Sequence, residues 1–329
     1  MPLRTTARTS ETAKSGFGAF IPDYWDTMLG ENLYPNLYLY QFGMKRRIPK
    51  NFGFSIKIPR LAKQNIVGLV QGASEGIVIN TSPLSGQFVS GTLRQFAGAY
   101  RHSDIVIMTA LSDVIELSIR DIARDIAKRM DTHVRDQLSA GGQFVGGSGQ
   151  ATGSVKTTSI LKGSDILKAA VLLDSKDNPR PADGHYPMVT HPLALYDLQS
   201  SLTGNSWLEV NKQTGSTALE NLYRGEWGRF FGTRLVTSTN TKRLVGAVGG
   251  MSAGTSGYQS FMFAPEAYYV TEINDMTAKT FVKQLGSAGT ADPVNQVSTV
   301  GAKVFFTAIR ADWGSERRYA RIAHGSNVS

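Results

Sequence analysis

The sequence predicts an α+β protein organised around one long helix. Three observations carry that prediction. Between Ala110 and Gly142, apolar residues recur every three or four positions. Between Met44 and Met108, short apolar stretches are broken by glycine and proline, which suits strands rather than helix. Further on, Val300–Ile309 is a single strongly apolar run, a candidate for a buried strand.

The helix is the clearest element. Leu111, Ile115, Ile119, Ile122, Ile126, Met130, Val134 and Leu138 form one stripe. Of these, Ile115, Ile119, Ile122, Ile126 and Met130 are the expected core of the spine. Charged residues fill the other face. Glu116–Arg120, Asp125–Arg129 and Asp131–Arg135 place the acid four residues before the base, the favourable order for surface pairs. Ser112 and Asp113 are N-cap candidates, with Glu116 three residues past Asp113 as in a capping box. Gly141 and Gly142 end the helix. Such a rod is roughly 40 Å long, and something must cover its apolar side.

Composition narrows the function classes. Of 329 residues, 41% are apolar, enough for a sizeable core. Cysteine is absent, which removes disulfides and thiolate metal sites. No apolar run approaches the roughly 18 to 20 residues that span a bilayer, and the first residues lack a signal-peptide core. The expected compartment is therefore a cytoplasm. The net charge of +9 is unevenly spread: Met1–Lys63 holds ten Lys or Arg against four Asp or Glu. A basic stretch of this kind attracts polyanions, although a solubilising surface explains it as well.

Residues 1–20 are Thr, Ser, Ala, Gly and scattered cations, and show neither helical nor strand period. From Ile21 to Phe42, Trp25, Leu29, Leu33, Leu37 and several tyrosines crowd together, so this part packs on something. Phe54, Ile56 and Ile58 alternate with polar residues, while Gly76–Ile79 and Phe88–Leu93 read as further strands. The excursion has too few large apolar groups for its own core. Its expected place is across another subunit, because an isolated hairpin is only marginally stable.

Beyond the helix, Gly141–Gly149 reads as a flexible glycine-rich joint. Ser164 is placed to cap a helix running through Ile166 and Val171. Tyr186–Thr190 suits a strand end, and Pro192 suits the first turn of a helix to about Leu202. Arg234–Thr239, Leu244–Val248 and Tyr258–Phe263 read as strands.

Three patterns imitate chemistry. Gly250-Met251-Ser252-Ala253-Gly254 fits G-x-S-x-G after a strand, with His324 downstream. A nucleophile elbow must open a helix, however, and Thr255-Ser256-Gly257 starts one poorly. In a chain with 34 glycines a chance match is the simpler reading. The Gly147–Gly153 cluster lacks the spacing and the Lys-Ser/Thr ending of a phosphate loop. His102, His133, His185, His191 and His324 show no ligand spacing, nor does Asp174…Asp177…Asp183-Gly184 match a calcium loop. His133 is expected in packing and His191 in a turn. No cofactor, metal or catalytic residue is expected.

The order of parts is specific: a basic arm, a β excursion, a spine helix, a glycine joint, an α/β region and a returning apolar strand. It resembles the major capsid proteins of tailed bacteriophages, with the Hong Kong 97-type fold. Leu93-Arg94-Gln95-Phe96-Ala97-Gly98-Ala99-Tyr100 through Asp113 looks like that family's passage from excursion to spine helix. His191-Pro192-Leu193-Ala194-Leu195 looks like its helix start, and Gly228–Ser238 like its glycine-flanked turn into a strand. The nearest branch is that of short-tailed phages.

The resemblance implies an N-terminal arm over 1–42 and an extended loop, a β hairpin, over 43–104. It implies a peripheral domain over 105–155 and 265–329, and an axial domain over 156–264. The implied function is a structural protein that self-assembles, through hexamers and pentamers, into an icosahedral head enclosing double-stranded DNA. Implied partners are portal and scaffolding proteins and a decoration protein. The implied location is the virion, after synthesis in a bacterial host cytoplasm. Arg4, Arg8 and Lys14 are then the expected DNA-facing or arm-contact residues. Lys57, Lys63 and Asn65 lie where some relatives crosslink, but no crosslink is predicted. Two alternatives stand beside this reading: an encapsulin-like cellular shell, and a serine hydrolase using Ser252.

Overall fold

The structure is a computed structural model. It describes residue 29 and residues 37–49, 53–61, 86–110, 113–201, 226–230, 232–245, 252, 256–273, 278–287, 292–312 and 317–326. In chain order the first elements are α1 (Tyr38–Phe42), β1 (Met44–Ile48), β2 (Ser55–Leu61), β3 (Gly86–Thr92), β4 (Arg94–Ser103) and α2 (Asp104–Thr109). Then come α3 (Val114–Ser139), β5 (Gln143–Gly146), α4 (Gly163–Asp174), β6 (Tyr186–Thr190) and α5 (Pro192–Ser201). Strands β7 (Glu226–Phe230), β8 (Thr233–Thr237), β9 (Lys242–Val245), β10 (Ser256–Phe263) and β11 (Tyr268–Ile273) follow. The last are β12 (Lys279–Lys283), β13 (Val297–Arg310) and β14 (Tyr319–His324).

Helix α3 is the predicted spine, 26 residues long. Asp113 caps it, accepting from the backbone N–H groups of Ile115 (2.9 Å) and Glu116 (3.3 Å). The Glu116 carboxylate is engaged with Arg120 on the next turn. At the other end Gly142 takes φ +79 and donates to Asp312 at 2.7 Å. Ile119, Ile122, Ile126, Met130, Val134 and Leu138 are all buried, and Ile115 packs at the edge of the same core. Leu111 lies outside the described residues.

The layer beneath α3 is a five-stranded sheet of order β1-β11-β13-β12, with β4 also paired to β13. Strand β13 alternates, and Val300, Ala302, Val304, Phe306 and Ala308 bury their side chains in the same core as the α3 stripe. Neither its partner β11 nor β12 is anticipated from the sequence, and β4 continues the excursion as a ten-residue strand. The expectation of strands rather than helix between Met44 and Met108 needs correction at one short place, α2.

A second, seven-stranded sheet runs β5-β14-β10-β6-β8-β7, with β9 on β10. Helices α4 and α5 supply Ile166, Leu173, Leu195 and Leu198 to its core beside Met188, Leu235 and Ile322. Strand β14 belongs to this sheet, pairing antiparallel to β10 and parallel to β5.

The glycine joint is not loose. Its first part is strand β5, and buried Asp165 accepts from the backbone of Ser148 (2.9 Å) and Gly149 (3.0 Å). The same carboxylate accepts from Lys162 N–H at 3.0 Å, so Asp165, not Ser164, closes the start of α4. Glycine at 147 serves close approach: a Cβ there would sit 2.4 Å from the Ser159 carbonyl oxygen.

Candidate assembly surfaces

Strands β2 and β3 form an antiparallel hairpin in register from Ser55↔Thr92 to Leu61↔Gly86. Its root sits on the sheet face opposite α3. There Ile58 packs with Tyr269, Ile309 and Ala311, and Ile56 and Val89 close the contact. Gly91 makes the approach possible, since a Cβ at that position would lie 2.3 Å from Ile309 Cγ1. Beside Val89 but on the other face of the hairpin, Phe88 is 69% exposed, and Phe54, just before β2, is 73% exposed. Beside the hairpin an open cleft of about 650 Å³ is lined by Arg46, Arg47, Lys57 and Arg318, with Glu266 as its acid. Glu266 accepts from Arg318 at 2.8 Å.

Helix α1 is fixed by a carboxylate whose partner differs from the one the sequence suggests. Asp131 is 1% exposed and does not pair with Arg135, which instead meets Asp136 at 3.2 Å. Its Oδ2 accepts from the backbone of Tyr38 at 2.9 Å and of Leu39 at 3.5 Å, the first turn of α1. Buried Tyr268 donates its hydroxyl to the Leu39 carbonyl. Desolvation raises the Asp131 pKa to about 6, against the lowering effect of these backbone bonds. The sequence held a signal: Asp131 lies four residues past Ala127 and three before Val134, on the buried stripe. The Glu116–Arg120 and Asp125–Arg129 pairs both form, the latter at 2.7 Å.

The decoys resolve as structure. Ser252 donates to the Gly153 carbonyl at 3.1 Å. His324 is fully buried and meets Ser260 Oγ at 2.8 Å, and burial lowers its pKa to about 4. Strand β10 begins at Ser256, so no helix opens there for an elbow. His133 packs on Phe96 and Phe306, at 5.8 and 6.2 Å between ring centroids. His191 stacks on Tyr258 at 4.1 Å and accepts from Leu193 N–H. Among the described residues no group of three or more His, Asp or Glu is arranged to hold a metal. Arg4, Arg8, Lys14, Lys63, Asn65 and the strand expected at Gly76–Ile79 lie outside the described residues.

No family model matches the sequence, and no curated protein matches it either. Solved structures do. The capsid of Ralstonia phage GP4 superposes with a TM-score of 0.70 at 11% identity, covering 89% of this chain and 92% of that one. The capsid of cyanophage Pam1 gives 0.63 at 11% identity, covering 91% and 93%. The head of Helicobacter pylori bacteriophage KHP40 gives 0.57 at 10% identity, covering 86% and 87%. At such identities the likeness speaks to fold. The chain has the α+β Hong Kong 97-type fold of phage capsid proteins.

Proposed function

We propose that this chain is a structural major capsid protein that self-assembles into an icosahedral head enclosing double-stranded DNA. The observation that carries the reading is the β2–β3 hairpin, anchored at its root and presenting Phe54 and Phe88 to solvent. An apolar surface of this kind on a two-stranded element is stabilised when a neighbouring copy covers it. The fold shared with phage capsids supports the same reading.

On this proposal residues 1–42 form the arm and 43–104 the extended loop. Residues 105–155 with 265–329 make a peripheral domain, and 156–264 an axial domain. Arg4, Arg8 and Lys14 face DNA or neighbouring arms, without sequence preference. Portal, scaffolding and decoration proteins are its partners. The chain acts in the virion after synthesis in the bacterial cytoplasm, within the short-tailed-phage branch.

The test is expression of the full chain, with and without a co-expressed scaffold, followed by sedimentation and negative-stain microscopy. Closed shells of uniform size are expected. A chain that remains monomeric at every concentration and salt tested, with scaffold and without, overturns the proposal.

A further inference from the structure

The sheet beneath α3 has two faces, and the second is only partly covered. The register Lys279↔Lys303↔Ala97, Phe281↔Gly301↔Ala99 and Lys283↔Thr299↔Arg101 puts these side chains together, away from the helix. The hairpin root covers the end of this face at Tyr269 and Ile309. It leaves the other end open, where Lys279, Lys283, Ala97, Ala99 and Arg101 are all exposed.

This open plate is unusual in charge. Strands β4, β12 and β13 contain no Asp or Glu. Lys279 and Lys303 stand directly opposite each other, which costs stability when nothing anionic lies between them. Lys303 Nζ is 4.9 Å from the Phe281 ring centroid and 5.8 Å from that of Phe305, so the charge is held over an aromatic floor. Phe281 is itself 45% exposed, and Ala97, Ala99 and Gly301 leave a low strip beside it.

The complementary surface is on the same chain. Segment Asp104–Ile119 contains Asp104, Asp113 and Glu116 and no Lys or Arg. Its helix α2 has no buried residue, with Ile105 67% and Met108 76% exposed. Asp113 caps α3 and Glu116 is engaged with Arg120, so the tip's acid is Asp104, set beside the exposed Ile105 and Met108. A carboxylate with apolar neighbours matches a basic plate with an apolar floor. A DNA duplex offers phosphates but nothing to cover Phe281. The hairpin strands carry Lys57 and Arg60 and no acid, so they match the plate less well.

We infer that the acidic tip Asp104–Met108 of one copy docks on the Lys279–Lys303–Arg101 plate of the next, as a head-to-tail contact within the shell. Plate and tip are different patches of one chain, so the contact is heterologous and propagates from copy to copy until it closes. The inference rests on the self-assembly reading above and names one contact within it.

The absence of cysteine makes the test direct. Full-length Ala99→Cys and Met108→Cys chains are mixed, assembled and oxidised, with Ala99→Cys plus Arg124→Cys as the control pair. The expected result is a disulfide-linked dimer from the first pair, about tenfold above the control. In parallel, Lys279→Glu with Lys303→Glu should lower particle yield about tenfold. Adding Asp104→Lys to that variant should restore it, which separates lost contact from misfolding. A wild-type chain that forms no particles overturns both the function and the contact. Wild-type particles with no crosslink above control, or with plate variants that assemble normally, overturn the contact alone. Plate variants that assemble normally but lose duplex DNA in a mobility-shift assay assign the face to nucleic acid, and also overturn it.

Discussion

Strands β13 and β2 are both apolar alternations, yet they stand in opposite circumstances. Along β13, Val300, Ala302, Val304 and Phe306 meet the stripe of α3, and each is less than 5% exposed. Along the hairpin, among the described residues, only Ile58 is buried, while Phe88 in the partner strand is 69% exposed. The same local pattern therefore serves two ends. Where a helix lies along the sheet, alternation builds the core of one chain. Where none does, it leaves apolar side chains at the surface.

Breaking the first region should be costly to the monomer. Ile122→Ala or Ile126→Ala removes a fully packed side chain and should destabilise by about 2 to 5 kcal/mol. Thermal melts check this. Equal melting of either variant and Arg124→Ala would mean that the helix faces the other way.

Asp131 gives a second, pH-dependent effect. Its folded pKa of about 6 lies above the ordinary carboxylate value of 3.8, so burial favours the protonated form. The stability it contributes is therefore full below pH 3.8 and is lost as pH rises through 6. The difference is on the order of 2 to 3 kcal/mol. Asp131→Asn should remove this dependence, leaving the variant's stability relative to wild type greater at pH 7.5 than at pH 4. A wild-type-minus-variant curve that is flat from pH 4 to 7 would contradict the assignment.

The hairpin should behave in the reverse manner to the core. Phe88→Ser should change monomer stability by less than about 0.5 kcal/mol, since the ring is exposed. Shell yield should nonetheless fall, and particle counts beside melts would read both. A variant that melts early and assembles normally would erase the contrast between the regions. Arg124→Ala is the smallest expected change, under about 1 kcal/mol.

What could be read from the sequence divides along the same line. The spine was legible because its period of 3.6 is long and uninterrupted, and β13 because Val300–Ile309 is one strongly apolar run. Strand β11 was not, because its partners β1 and β13 lie far away in sequence and its residues Tyr268–Ile273 show no clean alternation. Asp131 was misplaced by residue type: a carboxylate was assigned to the solvent face although its helical position is on the stripe. The glycine joint was misjudged for a related reason. Composition suggested freedom, while Asp165, distant by one loop, ties the backbone down. Of the assembly surfaces, the excursion was visible as a chain without a core, but the sheet face that its root covers was not.

The contact made by Asp131 has a consequence for how the chain can diverge. It accepts from the backbone of Tyr38 and Leu39, and Tyr268 donates to the backbone of Leu39. Neither bond depends on which side chains stand at 38 and 39. Hydrogen bonding at the start of α1 can therefore persist while the residues there drift between lineages, proline excepted, provided the acid and the phenol opposite them stay. Descendants can carry quite different side chains at 38 and 39 on an unchanged pair of anchors.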